Sequence, residues 1–289
     1  MTEPMGLYVH VPFCVSKCPY CDFYSLPGVD DDRLDAYTAA MERAMQQAHE
    51  RYPTTADTLY FGGGTPSLLG GRRLARLIDR AAALWGLKNA EITLEANPGD
   101  PLDTLLSAFA AAGGNRLSLG MQAVTPEELQ SLGRRHSHRQ TEQAVEAAHR
   151  AGIDNLSLDI MLGIPRQTTE TALAAVAEAA RLGASHLSAY LLKIEEHTPF
   201  GAAGRGGGRR PLSGGSGGRR GRRVCPVRNL QLCPSEAGEP PQLEILEPAA
   251  LSGVGTVGAL LSGRAAVVLP ARSGALFGRG RAAAGGSRR

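Results

Sequence analysis

The sequence has few aromatic residues, few cysteines and no long apolar run. Its 289 residues include one tryptophan, seven tyrosines, six phenylalanines and five cysteines. No stretch approaches the roughly 20 consecutive apolar residues of a membrane-spanning helix, and the N-terminus lacks the basic and then apolar layout of a secretion signal. Hydrophobic residues still make up 43% of the chain, enough for a core. These features predict a soluble cytoplasmic protein with one large domain or two smaller ones.

Lysine, aspartate, tyrosine and tryptophan are all missing from the last 89 residues. Residues 201–289 carry 14 arginines against four glutamates, a net charge of +10, and 20 of the 36 glycines. Residues 1–200 carry 17 basic and 24 acidic residues, a net charge of −7. The sequence therefore predicts an acidic folded domain over residues 1–200. The Arg/Gly-rich, low-complexity tail over residues 201–289 is expected to be disordered, because it buries too little apolar surface to offset its ordering entropy.

Within residues 1–200, short apolar runs alternate six times with amphipathic or alanine-rich segments. Such alternation predicts an α/β fold with a parallel sheet and helices packed outside it. Because a complete α/β barrel has eight units, we expect a partial (β/α)6 TIM-like barrel. The predicted strands are Gly6–Val11, Asp57–Phe61, Glu91–Ala96, Arg116–Gly120, Asn155–Met161 and His186–Lys193. The predicted helices are Asp32–Arg51, Gly71–Trp85, Pro101–Ala112, Thr125–Leu132, Arg139–Ala151 and Thr169–Leu182.

Residues suited to chemistry follow the predicted strands at their C-terminal ends. Three cysteines follow the first strand, a glycine loop follows the second, and the third ends in the segment Glu95 to Pro98. Gly120 to Gln122 ends the fourth strand, and Asp159 lies near the end of the fifth. Parallel α/β folds place their active sites at this edge of the sheet, so the pattern predicts an enzyme-like site.

Cys14, Cys18 and Cys21 form a C-x3-C-x2-C loop. Thiols at this spacing bind metal more often than they form disulfides, and no nearby fourth ligand completes a structural zinc site. A [4Fe–4S] cluster on three thiolates would keep one iron open for a ligand. His10 lies four residues before Cys14; we favour a strand histidine bonded to a neighbour, with metal ligation as the alternative.

The cysteine loop and its surroundings resemble radical S-adenosylmethionine (SAM) enzymes, and within them the oxygen-independent coproporphyrinogen III oxidase family. The resemblance covers nearly all of residues 5–200. It implies that SAM binds the open iron and that the cluster reduces the sulfonium to yield a 5′-deoxyadenosyl radical. It rests on the segments Leu7–Phe23, Leu59–Ser67, Glu91–Pro98, Asn115–Gln122, Leu132–His136, Asp159–Pro165 and Tyr190–Phe200.

The resemblance also assigns residues to SAM. Glycines let a backbone approach a ligand closely, although the Gly62–Thr65 segment could equally form a tight turn. Without the resemblance, Arg134 would be interpreted as a solvated surface charge and Asp159 as either a site residue or a strand cap. Tyr20 could pack on a cofactor or cover the cluster. The positions that match SAM contacts are Tyr8, Gly63, Gly64, Thr65, Glu95, Gln122, Arg134 and Asp159.

The residue type at position 23 distinguishes two branches of the family. Decarboxylating oxidases resemble C-x3-C-x2-C-x-C, whereas Phe23 occupies the last of those positions here. The Cys-Asp-Phe sequence resembles the heme-chaperone branch, which implies a protein that binds heme or a porphyrin for an acceptor protein, with a flavodoxin-type electron donor. The alternative to a heme-binding protein is an enzyme, a true oxidase that decarboxylates propionate side chains.

Residues 201–289 lack the C-terminal motifs of the family. Reading the last two bases of each codon with the first base of the next permits Tyr-Ala-Gln-Tyr-Glu-Ile-Ser-Asn-Phe-Ala over residues 224–234, and His-Asn-Leu-Lys-Tyr-Trp over residues 241–247. Both resemble the missing motifs, in the family's order. We therefore interpret the tail as the product of a frameshift near residue 201, which would remove the family's C-terminal region and could leave the chain inactive.

A genuine Arg/Gly-rich tail that binds RNA is the less favoured alternative. It has few aromatic residues for base stacking, its arginines are irregularly spaced, and its middle is acidic. Nucleic acid is therefore not an expected partner.

Overall fold

The computed structural model describes residues 4–196 and 198–206, and the strand segments 227–233, 242–246 and 266–269. Six parallel strands form the central sheet and are taken here in chain order with two short strands between the first and the second. The eight strands, six long and two short, are β1 (Met5–Val11), β2 (Phe13–Cys14), β3 (Leu26–Pro27), β4 (Ala56–Gly63), β5 (Glu91–Ala96), β6 (Arg116–Gln122), β7 (Asn155–Leu162) and β8 (His186–Leu191).

The six long strands pair side by side in the order β1-β4-β5-β6-β7-β8, and every neighbouring pair is parallel. β2 and β3 form a separate two-stranded sheet. The sheet curls into a half-barrel, so the predicted α/β fold with a partial (β/α)6 barrel is confirmed. Each predicted strand matches an observed one to within two residues at either end.

A helix follows each strand of the half-barrel, and several helices begin at a side-chain cap. Asp30, Thr125, Ser137 and Thr168 each accept a backbone N–H of the first turn, as capping residues do. No described helix has the length and apolarity to cross a membrane. The helices are α1 (Asp31–Arg51), α2 (Gly70–Trp85), α3 (Leu102–Ala111), α4 (Pro126–Ser131), α5 (His138–Arg150), α6 (Thr169–Arg181) and α7 (Pro199–Gly206), with a 3₁₀ turn over Pro66–Leu69.

Three further strands are described within residues 201–289. β9 (Val227–Cys233) pairs antiparallel with β8, and β10 (Gln242–Leu246) pairs antiparallel with β9. β11 (Ala266–Leu269) pairs parallel with β1 at the other edge. Helix α7 crosses the predicted domain boundary at residue 200. The remaining residues of the tail lie outside those described, so its disorder and its altered frame stay predictions.

The two faces of the half-barrel differ sharply in polarity. Alternate strand residues point to opposite faces, and one set, which includes Leu7, Leu59 and Leu94, packs with the helices in the main apolar core. The other set is polar. Its register is continuous, since Tyr8 pairs with Tyr60, Tyr60 with Thr93, and Thr93 with Arg116. The polar face carries Tyr8, Tyr60, Thr93, Glu95, Arg116, Ser118, Ser157, Asp159, His186, Ser188 and Tyr190.

Candidate functional site

The cysteine loop leaves the end of β1 and is closed at its base by β2 and β3. Leu26 donates its backbone N–H to the carbonyl of Pro12 at 2.6 Å, which brings the two ends of the loop together. Within the loop, the N–H of Cys21 bonds to the carbonyl of Cys18 at 3.1 Å. Cys14, Cys18 and Cys21 are half-buried free thiols. The structure therefore gathers the three predicted metal ligands on one short loop at the C-terminal edge of the sheet.

The glycine loop after β4 is bonded directly to the base of the cysteine loop. Gly64 donates its N–H to the carbonyl of Val11 at 2.7 Å, and Thr65 donates to that of Phe13 at 2.6 Å. A Cβ atom at Gly64 would lie 2.5 Å from the carbonyl oxygen of Phe13, closer than real Cβ contacts come. Close backbone approach therefore requires glycine here, and the backbone it is bonded to is that of the cysteine loop.

The donor chemistry of the cysteine loop fits an iron–sulfur cluster. Three thiolates can each bind one iron of a [4Fe–4S] cluster and leave the fourth iron without a protein ligand. Among the described residues, one group of side chains lies close enough together for a single metal ion, namely His138, Glu142 and Glu178 on the outer helices. The donor set of soft thiols fits iron and sulfide chemistry.

Neighbouring groups act on the protonation of Cys21. Burial raises the pKa of its thiol, and the nearby Cys18 and Cys14 raise it further, while a hydrogen bond with the backbone of Phe23 opposes the shift. A thiol must lose its proton to bind metal, so iron binding at Cys21 is coupled to proton release. Lys17, whose ammonium bonds to the carbonyl of Phe23 at 3.0 Å, favours the thiolate.

Glu95 is held at the centre of the polar face by two donors. The Tyr60 hydroxyl donates to its Oε1 atom at 2.7 Å, and the Gly63 N–H donates to its Oε2 atom at 3.1 Å. Burial raises the pKa of Glu95, and the Tyr60 bond opposes that shift. The Tyr8 ring stacks on Tyr60 with centroids 5.9 Å apart. Three predicted SAM contacts, Tyr8, Gly63 and Glu95, thus belong to one contiguous group.

Asp159 lies two strands from Glu95 on the same face. Its Oδ1 atom accepts a hydrogen bond of 3.3 Å from the Ser118 hydroxyl. Burial raises the pKa of Asp159 to about 7, with a further contribution from the charge of Glu95; bonds from Ser188 and Ser118 and the charge of Arg116 oppose it. Asp159 thus lies buried on the polar face of the sheet, and its role as a SAM contact stays a prediction.

Arg134 is not the solvated surface charge that its residue type alone suggests, and that interpretation was wrong. Its Nη1 atom donates to Asn97 Oδ1 at 2.8 Å, and its guanidinium lies 5.9 Å from the centroid of the Tyr20 ring. The Nε atom of Arg134 is buried without a hydrogen-bond partner. A buried, unsatisfied cationic donor fits a carboxylate ligand such as the one SAM carries. Gln122, at φ +66°, is buried nearby.

His10 precedes the cysteine loop, Tyr20 lies within it, and both contact neighbouring side chains or backbone. The His10 imidazole lies 3.3 Å from the Tyr8 hydroxyl and 3.3 Å from the Tyr24 carbonyl, which confirms a strand histidine bonded to its neighbours. Tyr20 packs against Phe200 with ring centroids 6.2 Å apart, beneath Arg134. Tyr20 therefore covers the flank of the cysteine loop, and a cofactor contact for it stays a prediction.

Several residues of the site were not singled out from the sequence. Tyr60, Asn97 and Ser118 bond directly to predicted site residues. The sequence did contain a signal, because polar residues recur at every second position of some strands, as at Arg116 and Ser118 or at Ser157 and Asp159. In a sheet covered by helices on one face, such alternation marks the face that lines the interior.

Comparison with known proteins matches this site to one family. The model of the radical SAM superfamily matches residues 8–179. The "Heme chaperone HemW" of Escherichia coli (strain K12) is 39% identical over 204 residues, which cover 69% of this chain and 53% of the relative. The protein of the same name from Mycobacterium tuberculosis is 40% identical over 203 residues, covering 68% and 51%. The chain spans about half the length of the curated relatives it matches.

A solved structure of a radical SAM enzyme has a fold similar to that of this chain. Coproporphyrinogen III oxidase (HemN) from Escherichia coli, described as a radical SAM enzyme, superposes with a TM-score of 0.63 at 26% identity. The match covers 70% of this chain and 46% of that one.

Proposed function

This chain belongs to the radical SAM superfamily, and from that premise we propose that it is a heme chaperone, a protein that binds heme for transfer to an acceptor protein. The family implies a [4Fe–4S] cluster and SAM as cofactors. We extend the proposal to heme as the ligand that the chain carries. Curated relatives named heme chaperones at 39% and 40% identity support this choice.

The residues of the C-terminal edge fit the cofactors of the family. Cys14, Cys18 and Cys21 would hold the cluster, and the unsatisfied Nε of Arg134 is suited to the carboxylate of SAM. The acidic side chains Glu95 and Asp159 suit the hydroxyl and ammonium groups of the same ligand. When bound together, cluster and SAM supply a source of one-electron chemistry. The chain itself supplies the polar, buried wall that orients SAM and limits the access of water.

One observation favours a chaperone over an oxidase. Phe23 stands two residues after Cys21, where the resemblance places a fourth cysteine in decarboxylating oxidases. The side chain of Phe23 is 51% exposed and offers no thiol to the site. The cysteine loop is thus equipped with three ligands only. We propose an electron donor of the flavodoxin type and a heme-accepting protein as partners.

Anaerobic reconstitution of the full chain with iron and sulfide tests the proposal. We expect a brown protein that, when titrated with heme, develops a saturable Soret absorption at one equivalent. Incubation with SAM, a reductant and coproporphyrinogen III should give no decarboxylated product. The matched control is Phe23→Cys, which introduces the fourth cysteine of the oxidase-like motif and should leave heme affinity unchanged.

Formation of protoporphyrinogen from coproporphyrinogen III would overturn the chaperone proposal in favour of the oxidase. Heme absorption that never saturates, or that an unrelated acidic protein reproduces, would show nonspecific adsorption and overturn it as well.

A further inference from the structure

A row of hydrogen bonds connects Arg134 to the first cysteine of the loop. Arg134 Nη1 donates to Asn97 Oδ1 at 2.8 Å, and Asn97 Nδ2 donates to Thr65 Oγ1 at 3.3 Å. The Thr65 hydroxyl in turn donates to Cys14 Sγ at 3.6 Å. The four residues come from four separate segments of the chain. Asn97 links the guanidinium of Arg134 to Thr65, and Thr65 bonds to the thiol of Cys14.

All three bonds point the same way. Asn97 and Thr65 each accept a hydrogen bond on an oxygen and donate one onward, and the row begins at the Arg134 guanidinium and ends at the Cys14 sulfur. Hydrogen bonds aligned in this manner polarise one another in a low-dielectric interior. We propose that Asn97 is a positioning residue that relays the charge of Arg134 to Cys14, stabilising added negative charge on a cluster bound there.

The turn that carries Asn97 is braced independently of the relay. Asp100 Oδ2 accepts the N–H of Asn97 at 3.2 Å and also the hydroxyl of Ser67 at 2.5 Å. The N–H of Asp100 closes the turn on the carbonyl of Asn97 at 3.0 Å. Because these bonds use the backbone of Asn97, its side chain is left free to serve Thr65 and Arg134. Removing that side chain should therefore leave the turn in place.

Gly120 lies beside the side chains of this row. A Cβ atom at Gly120 would lie 3.4 Å from Asn97 Oδ1 and 3.7 Å from Arg134 Nη1. The backbone of Gly120 therefore lies next to the point where the Asn97 amide bonds to the Arg134 guanidinium. Hydrogen bonds to ligating sulfurs shift the reduction potential of iron–sulfur clusters, since reduction adds negative charge that a donor stabilises. This inference holds whether or not the chain carries heme.

The test is the reduction potential of the reconstituted full chain without SAM, followed by EPR during a redox titration. Asn97→Ala and Thr65→Val should each make one-electron reduction about tenfold less favourable, a fall of about 59 mV. The double variant should fall no further than Thr65→Val alone, because the amide acts only through the hydroxyl. Gln47→Ala, which removes an exposed amide on α1, is the control and should not move the potential.

Two results would overturn the relay. One is an Asn97→Ala effect that persists in full in the Thr65→Val background, since Asn97 would then act independently of Thr65. The other is an unchanged potential in Asn97→Ala. Asn97→Leu, which keeps side-chain volume, is the second variant if Asn97→Ala holds no cluster, and it should reproduce the same shift. Failure of both to retain iron while Thr65→Val retains it would assign Asn97 a purely structural role and also refute the proposal.

Discussion

The Tyr60 hydroxyl donates a 2.7 Å hydrogen bond to Glu95 across two neighbouring parallel strands. The same carboxylate receives the N–H of Gly63 on its other oxygen. The two donors together fix the orientation of the Glu95 carboxylate in the polar interior. The bond also links the glycine loop, and through it the cysteine loop, to the face on which the predicted SAM contacts lie.

Removing the Tyr60 hydroxyl should weaken SAM binding. In Tyr60→Phe, Glu95 loses one of two donors, and a hydrogen bond to a charged group is worth about 1.5–3 kcal/mol. We expect SAM affinity, measured by isothermal titration calorimetry on the reconstituted protein, to fall roughly tenfold. Tyr52→Phe, at a tyrosine that is 46% exposed, is the matched control. Equal affinities in the wild type and both variants would show that the bond between Tyr60 and Glu95 does not contribute to SAM binding.

Each cysteine of the loop should be needed for the cluster. Cys14→Ala, Cys18→Ala and Cys21→Ala each leave two thiolates, too few to hold an iron–sulfur cluster stably. Iron content and visible absorption after anaerobic reconstitution should drop to background in every one of them. The double variant Cys225→Ala/Cys233→Ala has the loop intact and should retain both signals. An intact signal in all three loop variants would refute the assignment.

The raised pKa of Asp159 should make stability depend on pH. Its pKa is about 7 in the folded protein and about 3.8 without the fold. The folded state therefore binds more protons between these values, and the contribution of Asp159 to the free energy of unfolding falls as pH rises from about 4 to 7, by roughly 4 kcal/mol. Above pH 7 it stays constant.

Asp159→Asn removes this titration. Urea unfolding of the wild type and of the variant, compared at pH 4.5, 6 and 7.5, should show the wild type losing stability relative to the variant with rising pH. Parallel curves would mean that Asp159 titrates at an ordinary value.

The coding DNA decides the origin of the tail. We expect a one-base shift near residue 201, so that the alternative frame encodes Tyr-Ala-Gln-Tyr-Glu-Ile-Ser-Asn-Phe-Ala and then His-Asn-Leu-Lys-Tyr-Trp. The measurement is sequencing of both DNA strands across the codons for residues 195–250. Codons incompatible with either motif would leave a genuine Arg/Gly-rich tail as the remaining explanation.

Local sequence was sufficient for the strands and helices but not for the contacts between them. The strand Glu91–Ala96 was predicted at its observed bounds, because its apolar run and flanking turn residues are local signals. The bond between Asn97 and Arg134 joins residues 37 positions apart and depends on how β5 and the loop after α4 meet. Residue type alone misplaced Arg134, since nothing local shows that its guanidinium is enclosed. The cysteines needed no such information, because their spacing carries the chemistry.

The bonds from Gly64 and Thr65 to Val11 and Phe13 have a consequence for maturation of the protein. They join backbone groups only, so none of them depends on a cysteine side chain. The base of the loop is therefore expected to keep its shape whether or not the thiols bind iron, and loading should cost less ordering entropy than it would in an unstructured peptide. We accordingly expect that iron lost to oxygen can be replaced without refolding of the half-barrel.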